Sequence, residues 1–251
     1  MLILIAESKT MSADEREVKM PQFPDGEAGA DMISERLAAC SVGEISEMLK
    51  VSPSLAASCL KMAKEFPFKQ TGYRAIDAFT GVVFRAMDAK SFTPEMEAFA
   101  DKKLLIVSSL YSLLSPSDTI KSYRLDYTSK AAPGDVPMWK WQKEETTERL
   151  KERLKEDNNI LNLMPGDACK CIEWKAIESI ASVVTVNFKE VQPGGETKTP
   201  RSNRLKQLRG LIVRQIIEGR LTTIDQLKVL KSDDFLFDPD SSTETVLTFL
   251  C

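Results

Sequence analysis

Apolar and polar positions along the 251-residue chain follow two rhythms. Short unbroken apolar runs fill residues 1–6, 104–107 and 160–163, and a β-branched run fills 183–188. Runs of that length, bounded by polar residues, predict strands covered on both faces. Residues 235–237 and 246–249 predict two further strands near the end. Elsewhere the spacing is helical. Residues 31–40 and 41–50 predict two amphipathic helices with a break near Val42-Gly43. Ser52-Pro53 and Thr93-Pro94 each set a capping hydroxyl before a proline suited to the first helical position. The helices they start are expected to reach about Phe66, before Pro67, and about Leu104. Residues 71–90 are expected to be helical, with Gly81 as a turn or close-packing point. Residues 142–157 carry charges at helical spacing and predict a solvated helix. Pro165-Gly166-Asp167 opens a helix expected to run to about Ile177 and to carry Trp174 toward the core. A basic helix is expected over 200–219, followed by a shorter one capped by Thr222 or Thr223. Residues 12–29 are expected to form a long surface loop, and 192–195 a turn. Strands alternating with helices predict an α/β chain of the mixed α+β kind: a single domain over residues 1–251, with a mixed β-sheet surrounded by helices.

Composition narrows the chemistry. The sequence contains no histidine, which excludes His-based triads, His metal ligands and the usual acid–base group near neutral pH. The five cysteines are an odd count, and the six-residue apolar start is too short for a signal peptide. Free thiols in a cytoplasmic protein are therefore expected. Cys169-Lys170-Cys171 has the wrong spacing for a zinc site, and neither a metal nor a cofactor is expected. No run approaches the length of a membrane-spanning helix, so no membrane partner is expected. The net charge is only −3, but it is unevenly spread. Residues 1–50 hold five Lys/Arg against ten Asp/Glu, residues 187–220 hold eight against three, and residues 223–251 hold two against six. One basic segment lies between acidic ends.

Two groups of cations are the candidate nucleic-acid or anion-binding residues. In the basic segment, Leu205, Leu208, Ile212 and Ile216 make one apolar face, leaving Arg204, Lys206, Arg209 and Arg214 on the remaining surface. With Lys198 and Arg201 just before them, these cations could meet phosphate oxygens. The plain alternative is a solvated face whose stems lie over the core. The second group is Lys9, just past the first strand, and Arg124, in the polar stretch after the 104–107 strand. Ligands bind at the carboxyl edge of open α/β sheets, so two cations there would make a phosphate or carboxylate site. The alternative is that each pairs with an acid such as Glu7 or Asp126.

Residues 108–126, SSLYSLLSPSDTIKSYRLD, resemble the LSGLYGxLRPxDxIxPYRLEM signature of the YaaA family, bacterial proteins linked to peroxide stress. The start, MLILIAESKTM, is similar to that family's MLILISPAKTL and keeps Lys9 and Thr10. Ala75 to Phe79, Gly81 and Asp88-Ala89 resemble its AFxGDVYxGLxA segment. Lys206, Arg209-Gly210, Arg214 and Ile216-Ile217 fall on KKARGxxxRxII, and residues 233–242 resemble GYxFDxxxSS. The matches occur in one order over nearly the whole chain. Departures are also plain: Ser109 and Ser112 stand at signature glycines, Ser115 at an Arg, Val82 at an Asp, Phe84 at a Tyr and Gln207 at a Lys. The resemblance implies a peroxide-stress protein that binds double-stranded DNA nonspecifically through a basic cleft, without enzymatic activity. The alternative is an enzyme or small-molecule binder acting on a phosphorylated or carboxylated ligand at Lys9 and Arg124.

Overall fold

A computed structural model describes residues 1–12, 18–19, 27–69, 71–230 and 232–251. Its strands are β1 (Leu2–Ala6), β2 (Val18–Lys19), β3 (Thr71–Arg74), β4 (Leu104–Ser108), β5 (Ser112–Leu114), β6 (Thr119–Ile120), β7 (Asn159–Asn162), β8 (Ser182–Val191), β9 (Thr197–Lys198), β10 (Leu236–Phe237) and β11 (Val246–Leu250). The first helices are α1 (Glu27–Ala38), α2 (Val42–Leu49), α3 (Pro53–Glu65), α4 (Ala75–Ala78), α5 (Val82–Met87) and α6 (Pro94–Lys103). The later ones are α7 (Met138–Trp141), α8 (Lys143–Leu154), α9 (Gly166–Cys169), α10 (Trp174–Glu178), α11 (Ser202–Glu218) and α12 (Ile224–Lys228).

The main sheet has the order β10-β11-β8-β7-β1-β4-β5, with β9 paired to β8, and β2-β3-β6 form a small separate sheet. The strands predicted from apolar runs are its centre. β1 lies between β4 and β7, parallel to both, with Leu4 opposite Leu105 on one side and Asn162 on the other. β5 and β10 close the two ends in antiparallel fashion. The fold is thus α/β with a mixed sheet, as the pattern predicts. Each central strand feeds two cores because neighbouring side chains point to opposite faces. Ile3, Ile5, Leu104 and Ile106 join the core under α1, α3, α5 and α11. Leu2, Leu4, Leu105 and Val107 join a second core under α8, with Leu150 and Leu154. Among the described residues no helix is long and apolar enough to cross a membrane.

Local signals set most helix starts. Ser52 and Thr93 cap α3 and α6 with proline in the first turn, and Thr223 caps α12. Ser41, with Glu44 completing a capping box, starts α2, so the break between the first two helices falls just before Val42-Gly43. Two helical expectations fail. Residues 71–90 do not form one helix: β3 pairs with β6 first, at Tyr73 opposite Ile120. Gly72 permits that approach, since an added Cβ would stand 2.6 Å from the Ile120 carbonyl oxygen. The helix expected over 165–177 is split into α9 and α10. There the Trp174 indole N–H donates to the Cys169 carbonyl at 2.9 Å, in place of a helical N–H. The loop expected over 12–29 lies largely outside the described residues; of it, β2 and the start of α1 are seen.

Candidate functional site at the carboxyl edge of the sheet

β1, β4 and β7 run parallel and end at one edge, where the departing loops must satisfy their own polar groups. The loop after β1 is pinned to the segment before α5. Ser12 N–H donates to the Ala78 carbonyl and Thr80 N–H to the Thr10 carbonyl, both at 3.0 Å. Gly81 lets the two segments touch: a Cβ there would lie 2.4 Å from Ser8 Oγ and 2.9 Å from Ser8 Cβ.

Glu7 is the first residue beyond β1. Its N–H donates to the Val107 carbonyl at 3.0 Å and approaches the Tyr127 hydroxyl at 3.2 Å, while Tyr127 donates to Val107 at 2.7 Å. The side chain turns inward. Its Oε2 accepts a short hydrogen bond from the Tyr123 hydroxyl, which in turn lies 2.8 Å from Ser108 Oγ. Ser108 Oγ already accepts the N–H groups of Leu110 and Tyr111, at 3.1 and 2.9 Å, so its own proton points to Tyr123. A directed chain of hydroxyls thus ends on the carboxylate. Glu7 Oε1 and Ser109 Oγ are both sealed from solvent without a hydrogen-bond partner. The residue as a whole is half-buried, but the carboxyl is enclosed. Burial pushes its pKa up to about 7, against the opposing pull of Ser109, Tyr123 and Ser108. Burial, with Glu7 close by, raises the Tyr123 and Tyr127 phenols well above their ordinary value.

Lys9 and Arg124 are brought together, as the sequence led us to expect. Arg124 donates to the Lys9 carbonyl at 2.8 Å. The Lys9 ammonium, however, pairs with Asp126 at 2.9 Å while remaining 63% exposed. Asp126 also accepts from the Thr128 N–H and hydroxyl and from the Ser129 N–H. Burial opposes its ionisation, but the Thr128 hydroxyl and Lys9 outweigh burial and hold it below the usual range. The acid-pairing alternative therefore describes Lys9, and Arg124 is bonded to a backbone carbonyl.

The cations around the basic helix separate into four kinds. Arg204 pairs with Asp234 at 3.0 Å, and Lys198 donates to the Gln192 side chain at 2.8 Å. Arg214 is structural: it donates to the Met87 and Asp88 carbonyls and to Ser91 Oγ, beyond the end of α5, and pairs with Glu218. Arg201 and Lys206 are exposed, with no partner among the described residues. Arg209 differs from all of these. Its Nε is buried without a partner, and its one hydrogen bond is a long 3.5 Å contact to the Met164 carbonyl, just past β7. No carboxylate of the described residues pairs with it. Burial lowers its pKa, and only the nearby Cys169 thiol opposes that shift. Cys169 is itself raised by burial, and Cys171 is pushed up to about 12 by burial, Glu7 and Cys169. All five cysteines are free.

A family model described as "Peroxide stress protein YaaA" matches residues 1–241. The chain belongs to this family. A UPF0246 protein of Parabacteroides distasonis is 31% identical over all of this chain and 99% of its own length. One of Bacteroides fragilis is 31% identical over 99% of this chain and 98% of its own, and one of Alteromonas mediterranea 30% identical over all of this chain and 98% of its own. Sequence reasoning overlooked Glu7 except as a possible partner for Lys9. The signal was present: Glu7 stands where the family's MLILISPAKTL has Pro, just as Ser109 stands at a Gly.

Proposed function

We propose that the chain serves its peroxide-stress family by binding an anion, a small phosphate- or carboxylate-bearing ligand, at the carboxyl edge of the sheet. Arg209 carries the reading. A charge withdrawn from water is costly unless paired, yet this guanidinium has a sealed Nε and no counter-ion among the described residues. A ligand oxyanion would complete it bidentately. Lys9 and Arg124 lie at the same edge, and Lys206 precedes Arg209 by one helical turn on α11. A recessed donor suits a compact anion better than a groove-spanning duplex.

The test is Arg209→Met, similar in volume and uncharged. Removing a half-buried, unpaired charge should leave the free protein as stable as the parent or more so. Stabilisation by inorganic phosphate or a nucleotide should be lost. Melting curves with and without these anions decide it. If Arg209→Met melts several degrees lower and both proteins respond equally to every anion, Arg209 is a structural residue and the reading fails.

A second reading, nonspecific and non-catalytic binding of duplex DNA, is favoured by Arg201 and Lys206, exposed at the start of a helix with no acid in its first turn. Such binding weakens linearly in log K with log salt. The double variant Arg201→Glu, Lys206→Glu should reduce affinity for all sequences alike and flatten the salt slope. Equal binding by parent and variant, measured by fluorescence anisotropy, removes this reading.

A further inference from the structure

Glu7 and Ser109 are left unexplained by an anion site made of cations. The carboxyl lies two residues before Lys9, at the edge where Arg209 waits without a counter-ion. Tyr123 and Tyr127 face it from the loop after β6, and Cys171 from the segment after α9. Cys169 stands between Cys171 and Arg209, and Asp126 holds Lys9 at the surface. No cation of the described residues forms an ion pair with the carboxyl. A carboxylate and a bound anion in one poorly hydrated neighbourhood repel, and the repulsion disappears when the carboxyl takes a proton. The surroundings accept both states. An ionised Oε2 receives the chain from Ser108 through Tyr123, and the Ser109 hydroxyl, a free rotor beside the carboxyl, can donate to it or accept a proton from it.

We propose that anion binding at this edge is proton-coupled: the ligand enters as Glu7 takes up one proton. The inference rests on the anion site proposed above. It adds a regulation centred on Glu7, which departs from the family signature. The carboxyl's position near 7 puts the coupling within the physiological range.

Sulfate is the probe, because it stays a dianion from pH 5.5 to 8.5 and any pH dependence then belongs to the protein. Calorimetric titrations of the full chain, in two buffers of different ionisation heat, should show constant affinity below pH 7. Above it, affinity should fall by up to about tenfold per pH unit as one proton is taken up per sulfate. Glu7→Gln should bind at the parent's low-pH affinity throughout, with no proton uptake. Ser109→Gly, which removes a hydroxyl that holds the carboxyl's pKa down, should keep the slope but move its onset to higher pH, and it tests the coupling should Glu7→Gln fail to fold. A flat parent profile, a slope that survives in Glu7→Gln, or an unmoved onset in Ser109→Gly overturns the proposal. Sulfate binding without a slope removes the coupling and leaves the anion site; absence of sulfate binding at any pH removes both.

Discussion

Replacing Gly210 with alanine adds a single methyl group where α11 crosses α5. An ideal Cβ at residue 210 would lie 2.2 Å from the Val83 carbonyl oxygen, 2.7 Å from Ala86 Cβ and 3.1 Å from Met87 N. Two of these are backbone atoms inside a helix, so no side-chain rotation relieves the clash. The helices must separate by about 1 Å, a gap that forfeits a quarter to a half of each contact's attraction. The contacts at risk include the buried Leu208, Ile212, Val213 and Ile217 in the core with Phe84 and Met87. Overpacking of this kind costs about 3 kcal/mol, at the upper end of its usual range. Alanine's better helix propensity returns about 1 kcal/mol, leaving a net loss of about 2 kcal/mol. For a chain of this size that is a fall in Tm of about 4–8 °C. Thermal and urea unfolding followed by circular dichroism measure it. Gly43→Ala is the control: its Cβ would meet only Ser41 Oγ, at an ordinary 3.8 Å, so it should not lose stability. If Gly210→Ala melts at or above the parent, the close crossing that holds Arg209 in place is not there.

Glu7 makes a second stability prediction. Its pKa rises from 4.5 unfolded to about 7 folded, so its stabilising contribution is complete below 4.5 and lost as pH climbs through 7. The interval corresponds to about 3 kcal/mol, and Glu7→Gln should gain that much on the parent between pH 4.5 and 7.5 in urea titrations; a difference that does not change with pH contradicts it. Ser112, at φ +68°, bears a conformation that suits glycine, while its hydroxyl donates to Thr146 Oγ1 at 3.2 Å. Ser112→Ala keeps the strain and loses the bond, so it should be less stable than Ser112→Gly by about 1 kcal/mol or more; the reverse order in denaturation midpoints would show that the backbone there is not left-handed. Lys9→Met removes an exposed pair and should change stability by no more than about 1 kcal/mol while weakening phosphate binding; a loss of several degrees in Tm would make Lys9 a structural residue.

What was legible in the sequence was whatever is decided locally. Apolar runs located β1, β4, β7 and β8, and capping hydroxyls before proline started α3 and α6. β3 was not legible, because TGYR carries no strand pattern and is held extended by residues 119 and 120. The meeting of Lys9 with Arg124 followed from two strands ending at one edge. The fates of Arg204 and Arg214 did not, because their partners Asp234 and the Met87 carbonyl lie 30 and 127 residues away. Arg209 and Glu7 define the site by partners they lack, a property that no spacing along a chain expresses.

The central position of β1 also has a consequence during synthesis. β1 has no neighbour in the sheet until residues 104–107 and then 160–162 have been translated. At about 5–20 residues per second, its apolar sequence waits roughly 5–20 seconds beside the ribosome with both edges open. Nascent chains of this protein should therefore depend on holding chaperones until β7 emerges, and a slowed codon stretch before β7 should lower the soluble yield more than one placed after it.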